Sequence, residues 1–412
     1  MDLSRIYADR MTEEQSQQRF EKLKQQHKEL FKRDTRAIFS TPGRTELGGN
    51  HTDHNLGTVL AASINLDILS AVSLRDDKIV NFCSEGFKPF QINLDTLEPI
   101  KEEEGTTKAL VRGIGSSIVN KGGNIGGVNI NLISSVPPGS GLSSSAALEV
   151  MIATVFNSLY NKDRFSTTEL AIMGQEAENK FFGKPCGLMD QIACANGGAV
   201  GIDFYPKPVI SHVETDFSRW GLKLVIINTA SDHAKLTSEY SDIPSEMFSV
   251  AKFFGKSVLG EVKEEEFFEN MKEVRKDIKN DRAVLRALHF FNENRRAKQM
   301  FEALKTDNKN AYLSLMKESG DSSYRFLQNV YAPSDPKNQG VAFALATAER
   351  LLNKEGAVRV HGGGFAGTIQ ALVPTDMCEH FICGMEKNIE IGCCTVIEIR
   401  KDPTEKIFDY SI

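Results

Sequence analysis

Two stretches of this sequence gather residue types that do chemistry. The first is PPGSGLSSSAALEV, Pro137 to Val150, which follows an alternating run from Val128 to Ile133 and leads into a helical pattern from about Ser145. Gly139 and Gly141 permit close backbone approach, and free N–H groups at a helix N-terminus face an anion. Ser143, Ser144 and Ser145 add hydroxyls that bond phosphate oxygens or ligate Mg2+, a hard cation that takes oxygen donors. A glycine turn with a serine cap is the plain alternative, but strand, glycines, serines and helix in one run favour a phosphate cradle. No Gly-Lys-Ser/Thr of a Walker loop follows, and the HRD and DFG sets of protein kinases are missing.

The second stretch is GGNHTDHN, Gly48 to Asn55, which puts two histidines, an aspartate and two amides just after a Pro-Gly-Arg turn. It reads as a metal site, a sugar-reading loop or a polar surface turn. His51, Asp53 and His54 could meet Zn2+ as two nitrogens and an oxygen with an open position. A hydrolytic zinc site would leave the serine-glycine loop, Arg44 and Asp190 unexplained.

The elements that must position these residues form a mixed pattern. At 412 residues the chain exceeds the usual span of one core, so about two domains are expected. The segment 13–32 has Phe20, Leu23, Leu30 and Phe31 at helical spacing and reads as an amphipathic helix docked on the body. Strands are expected in RAIFSTPGR, VLAASINLDILSAVSL and KIVNFCSEGFKPFQINL, and helices in ALVRGIGSSIVNKGG and TELAIMGQEAENKFF. The Pro-rich YPKPVISHVETD suggests a boundary near residue 205, giving domains 1–205 and 206–412. Beyond it come a strand (LKLVIIN), helices in SEMFSVAKFFG, VLRALHFFNENRRAKQMFEALK and KNQGVAFALATAERLLNKEG, and a strand, glycine loop and strand in VRVHGGGFAGTIQALVP. The fold class is α+β.

Hydrophobic residues at 41% and charged residues at 25% are those of a chain that folds throughout. A net charge of −6 without a basic run gives no reason to attract nucleic acid. Seven cysteines with no CxxC pair read as reduced thiols rather than a disulfide or zinc framework. With no segment near 18 uninterrupted apolar residues and no apolar signal core at the N-terminus, a soluble, cytoplasmic protein without membrane partners is expected, a monomer or weak homodimer.

The pattern Pro-x-Gly-x-Gly-Leu-x-Ser-Ser-Ala resembles the ATP-binding motif of the GHMP kinases. TPGRTELGGNHTDHNLG is similar to the galactokinase signature, GKPCGLMDQ to a second galactokinase segment, TSEYS to the family's Ser-Glu-Tyr, and GGGFAGT to its glycine-rich third motif. In colinear order the resemblance covers roughly residues 15 to 400. It implies a two-domain GHMP kinase fold, with an N-terminal ribosomal protein S5 domain 2-like domain and a C-terminal ferredoxin-like domain. It also implies a sugar 1-kinase using ATP and Mg2+.

By that resemblance Pro138, Gly139, Ser140, Gly141, Leu142, Ser143, Ser144, Ser145 and Ala146 hold ATP, and Ser144 and Glu178 hold the metal. Glu176 is the neighbour not chosen. Arg44 stands beside the transferring phosphoryl group, and Asp190 faces the anomeric hydroxyl as base or orienter. Asn50, His51, Asp53, Gly187 and Tyr240 line the sugar, and Gly362, Gly363 and Gly364 form a backbone wall. The chemistry is coherent on its own terms: an attacking hydroxyl must lose a proton to a carboxylate, and phosphoryl charge needs a cation that cannot deprotonate.

Four positions depart from the family pattern. His54 stands where tyrosine is usual, and no role is assigned to it. Ala366 replaces a glycine, which costs about 1 kcal/mol or more if a positive φ is needed there. Asn50 and Glu46 stand where galactokinases have Glu and Asn respectively. The first of these positions lies, by the resemblance, near the C6 hydroxymethyl of galactose. An amide there accepts either a hydroxymethyl or a carboxylate, so galacturonate or another galactose-like sugar is the alternative substrate. A non-catalytic sugar and ATP sensor is a further alternative, against which stand the intact GLSSSAA, Arg44 and Asp190. Mevalonate or homoserine kinase activity is disfavoured by the signature around Arg44 and by CGLMDQ.

Overall fold

The computed structural model of the chain describes residues 4–7, 11–137, 139–184, 186–231 and 236–410. The first long helix, Glu13–Phe31, begins where Thr12 and Gln15 exchange hydrogen bonds in a capping box that satisfies two N-terminal donors. Phe20 and Leu23 pack on Ile38, Leu69, Ala71, Ile133 and Ile407. Leu30, expected on the same face, is 50% exposed, so the docked stripe is narrower than its spacing suggested.

Twelve strands are found among the described residues: β1 (Ala37–Gly48), β2 (Thr58–Leu74), β3 (Ile79–Ser84), β4 (Phe90–Asn93), β5 (Val128–Ser134), β6 (Ala199–Asp203), β7 (Val209–Val213), β8 (Leu222–Asn228), β9 (Ala357–His361), β10 (Thr368–Pro374), β11 (Cys394–Ile397) and β12 (Glu405–Asp409). The chain divides into two compact units. The first comprises Met1–Arg44, Ala62–Gly198 and Ile399–Ile412, and the second Thr45–Ala61 and Ala199–Glu398. The crossing at Gly198–Ala199 lies near the boundary at 205 read from the sequence. The loop 45–61 and the C-terminal segment make three more crossings, so the units are not two consecutive halves.

In the first unit the strand order is β12-β1-β2-β5-β3-β4. β1 and β12 are antiparallel, as are β2 and β5, whereas β3 and β5 run parallel. Every β2 residue from Thr58 to Ser73 is buried, which is why the strand reads as one long apolar run rather than an alternation. Helices Thr107–Asn120, Ser144–Asn161, Thr167–Ala177 and Met189–Asn196 pack on one another. The third of them continues into a π-helical turn, Glu178–Phe182.

The second unit holds an antiparallel sheet of order β11-β8-β10-β9. Alternation along β9 gives the sheet two chemically different faces. Val358 and Val360 join a core with Val341, Ala344, Phe381 and Met385 from the helices Gly340–Leu352 and Cys378–Asn388. Arg359 and His361 point the other way, to Glu46 and Thr45. A second core forms among the helices Thr237–Phe253, Glu264–Ile278 and Asp281–Lys305. No helix of the described residues is long and apolar enough to cross a membrane.

Candidate active site

The phosphate-loop residues lie in the first unit. Gly139 and Gly141 both adopt positive φ, +70° and +71°. A Cβ on Gly139 would meet nothing within 4 Å, so glycine is needed there for conformation, not space. Pro138 lies outside the described residues. Leu142 is buried, and its carbonyl accepts from the Arg44 N–H at 3.1 Å. Gly43 makes that approach possible, since a Cβ there would come within 2.9 Å of the same carbonyl oxygen.

Ser143 precedes the helix Ser144–Asn161 in a left-handed conformation, φ 53°, and its hydroxyl makes no capping bond. It donates to Asp190 Oδ2 instead. The first-turn N–H groups of an eighteen-residue helix are thus left without a side-chain cap, the state in which a helix end binds an anion. Ser144, Ser145 and Ala146 open the helix, and Ser140 donates to the Pro137 carbonyl at 2.6 Å.

Asp190 sits in the first turn of the helix Met189–Asn196, where the dipole favours negative charge. Arg44 grips it with Nε to Oδ1 and Nη2 to Oδ2, both 2.7 Å, and turns Nη1 to the Gly141 carbonyl. Burial raises the Asp190 pKa, but the Arg44 charge and the hydrogen bonds from Arg44 and Ser143 outweigh it and leave the carboxyl below its usual range. The two residues assigned to catalysis are therefore in contact, as a bidentate pair beside the glycine-serine loop. Gly187 lies just ahead, in a segment held by Cys186, whose N–H donates to Asn179 at 2.7 Å.

Glu178 is buried at the start of the π turn, a distortion frequent at functional sites. Its Oε2 accepts from Gln191 Nε2 at 3.2 Å, and the same amide donates to Glu149 Oε2 at 2.9 Å. Glu149 Oε1 is buried without a partner. Burial, and then the nearby Glu178 charge, push the Glu149 pKa well above its usual value. Sequence reasoning missed Glu149 and Gln191. The signal was a charged residue inside the apolar run SAALEV. Glu176 is engaged elsewhere, accepting from Ser117.

The signature residues from Thr45 onward lie in the second unit, where side chains of the helix Asp281–Lys305 hold the loop between β1 and β2. His289 Nε2 donates to the Asn50 carbonyl at 2.9 Å, Glu293 accepts from the Gly49 N–H at 3.2 Å, and Asn294 accepts from the Thr58 N–H at 2.6 Å. Nothing in their spacing marked these three as loop supports. His51 has φ 60° and gives Nε2–H to the Gly363 carbonyl at 3.1 Å. Burial and the neighbouring His54 push its pKa down to about 3, so it is neutral at pH 7. Asp53 is half-buried and accepts from the His54 N–H at 3.0 Å. Among the described residues no group of three or more His, Cys, Asp or Glu is placed to hold a metal ion.

Tyr240 donates to the Gly364 carbonyl at 2.8 Å, and burial pushes its hydroxyl up to about 12. Its ring lies where a Cβ on Gly363 would fall, 2.5 Å away, and a Cβ on Gly364 would meet the Asn329 carbonyl at 2.1 Å. Gly362 has φ 63°. The third motif needs its glycines, but Ala366 is not among the positive-φ residues. The left-handed non-glycine is Phe365, φ 59°, so the alanine brings no φ strain.

Asn50 and Glu46, the departing pair, touch each other. Asn50 Nδ2 lies 3.1 Å from both Glu46 oxygens, and Arg359 pairs with Glu46 at 2.7 Å.

A family model described as the GHMP kinases N terminal domain matches residues 107–198, and one described as the galactokinase galactose-binding signature matches residues 25–74. The galactokinase of Actinobacillus pleuropneumoniae is 34% identical over 348 residues, 82% of this chain and 85% of that one. That of Glaesserella parasuis serovar 5 (strain SH0165) is 33% identical over 353 residues, with the same coverage. Among solved structures, Lactococcus lactis galactokinase complexed with galactose matches with a TM-score of 0.81 and 28% identity, over 94% of this chain and all (100%) of that one. Methanococcus jannaschii mevalonate kinase shares the fold, with a TM-score of 0.61 at 18% identity over 89% of this chain and 99% of that one.

Proposed function

The chain belongs to the galactokinase family of GHMP kinases and is a phosphotransferase with an alcohol acceptor, and from that premise we propose that it transfers the γ-phosphoryl group of ATP to the anomeric hydroxyl of galactose. The observation that carries this reading is the Arg44–Asp190 pair, joined by Ser143 at the mouth of the glycine-serine loop. The relative solved with galactose supports the choice of sugar.

The sugar O1 forms a bond to the γ-phosphorus while the bridging bond to ADP breaks. Charge on the phosphoryl oxygens meets the Arg44 guanidinium, the helix N-terminus and the loop N–H groups. Asp190, ionised and of low basicity while Arg44 grips it, orients the attacking hydroxyl and takes its proton late, once the O–P bond has formed. His51 and Asp53 fall within the span matched by the galactose-binding signature, which supports a role for them toward the sugar.

Mg2+ would fit the Ser144 hydroxyl and the Glu178 carboxylate, an all-oxygen donor set beside the orphaned Glu149 oxygen. When bound, it supplies charge neutralisation on the phosphates.

The buried Glu46 carboxylate lies 3.1 Å from the Asn50 amide and is paired with Arg359 at 2.7 Å, so its charge is compensated within the protein. The relative solved with galactose favours neutral galactose over galacturonate as the substrate. Sugar-dependent ATP consumption across hexoses, uronic acids and amino sugars tests this. Galactose should lead, and a clear preference for galacturonate would reverse the assignment.

A further inference from the structure

Asn50 is wholly buried, and its side chain is saturated. Nδ2 donates to the Gly362 carbonyl at 2.7 Å and to Glu46, while Oδ1 accepts from Asn329 at 2.9 Å and Ser323 at 3.4 Å. The Gly362 carbonyl and the Glu46 carboxylate can only accept, so the amide orientation is fixed by chemistry. Glu46 is in turn fixed by Arg359, itself wholly buried.

The wider pattern concerns the glycine run. Asn50 holds the Gly362 carbonyl, His51 the Gly363 carbonyl and Tyr240 the Gly364 carbonyl, three successive peptides gripped one by one. A backbone with positive φ at Gly362 and Gly364 and no side chains of its own needs such outside support to keep one shape.

We propose that Asn50 is a positioning residue that acts on the sugar through Gly362, with the Arg359–Glu46 pair setting its amide, and that it does not read the C6 substituent by contact. The proposal rests on the sugar-kinase reading above. It assigns C6 tolerance to the shape of the glycine wall and accounts for a carboxylate at position 46 accompanying an amide at position 50.

The test uses Asn50→Asp, Asn50→Ala and the double variant carrying Glu46→Gln with Asn50→Asp, all in the full chain. Asn50→Asp loses both N–H donors and sets a second buried carboxylate against Glu46, so Tm falls. In the double variant the amide introduced at position 46 can donate to the carboxylate introduced at position 50, so Tm recovers, but the Gly362 carbonyl still faces a carboxylate. Accordingly kcat/KM for galactose should stay about 10- to 100-fold low in all three variants, with KM for ATP little changed. The loss should be the same factor for 6-deoxygalactose. Hydrogen exchange in the peptide 360–367 should be faster than in wild type in all three.

A defect seen with galactose but not with 6-deoxygalactose would mean direct C6 contact and overturn the proposal. So would sugar kinetics that recover together with Tm in the double variant, or unchanged exchange at 360–367. Wild-type failure to turn over galactose would refute the sugar assignment alone, because the exchange measurement reads the glycine wall without any sugar.

Discussion

The Asp190 carboxylate receives both arms of the Arg44 guanidinium and the Ser143 hydroxyl, and that arrangement fixes its titration. Its folded pKa is lowered relative to the unfolded chain, so the stability it contributes is present above the ordinary Asp value of about 3.9 and is lost as pH falls through the folded value. The pH profile of kcat/KM should therefore show no Asp190-dependent fall between the ordinary carboxylate range and neutrality. An acid limb near pH 6 that disappears in Asp190→Asn would contradict this. Arg44→Lys keeps the charge but loses the two-armed grip, and should lower kcat by about 100-fold with KM for galactose changed far less. Steady-state kinetics decides it, a loss confined to KM being the contrary result. At this scale flanking motifs were enough to single out Arg44, Asp190 and Tyr240 as candidates. Glu149, Gln191 and Arg359, whose partners come from distant segments, were not marked by any local pattern.

Among the elements, two π-helical turns begin at residues that serve the candidate site, Glu178 and Ser323. Each inserts one residue into a helical pattern, which a reading of 3.6-residue periodicity passes over. The helix Thr237–Phe253 was read to start near Ser245 because Pro244 lies inside it and breaks the pattern. Long periodic elements, such as Asp281–Lys305 and β2, were plain; the short strands β6, β7 and β12 carry too few residues to show alternation.

The Ser144–Asn161 helix carries its own prediction. Glu149 has a folded pKa raised by burial and by Glu178, so wild-type stability is greatest below the ordinary Glu value and falls as pH rises through the raised value. Glu149→Gln mimics the protonated form, and its gain in Tm should grow as pH rises above the ordinary Glu range in thermal melts. A gain independent of pH would show that the Glu149 pKa is not raised.

For the molecule as a whole, the four unit crossings explain why a single cut near residue 205 was only part of the domain organisation. Composition marks the Pro-rich link, but nothing local marks a loop such as 45–61 that leaves one core and returns. The C-terminal segment is the return path to the first unit. β12 pairs with β1, and Arg400, wholly buried, donates to Ser40 and to the Pro403 carbonyl. Removing residues 399–412 uncovers a strand edge and a buried aspartate, Asp67, that lies 3.9 Å from Arg400. Such a truncation should abolish soluble folded protein, read as yield and circular dichroism; normal yield with an unchanged melt would contradict it.

The most direct test of the account is ADP release with and without galactose, in wild type and in Asp190→Ala. The prediction is release that requires the sugar in wild type and is lost in the variant, while the variant still melts cooperatively. Galactose-dependent release that survives undiminished in Asp190→Ala would contradict the assignment of the Arg44–Asp190 pair as the catalytic centre.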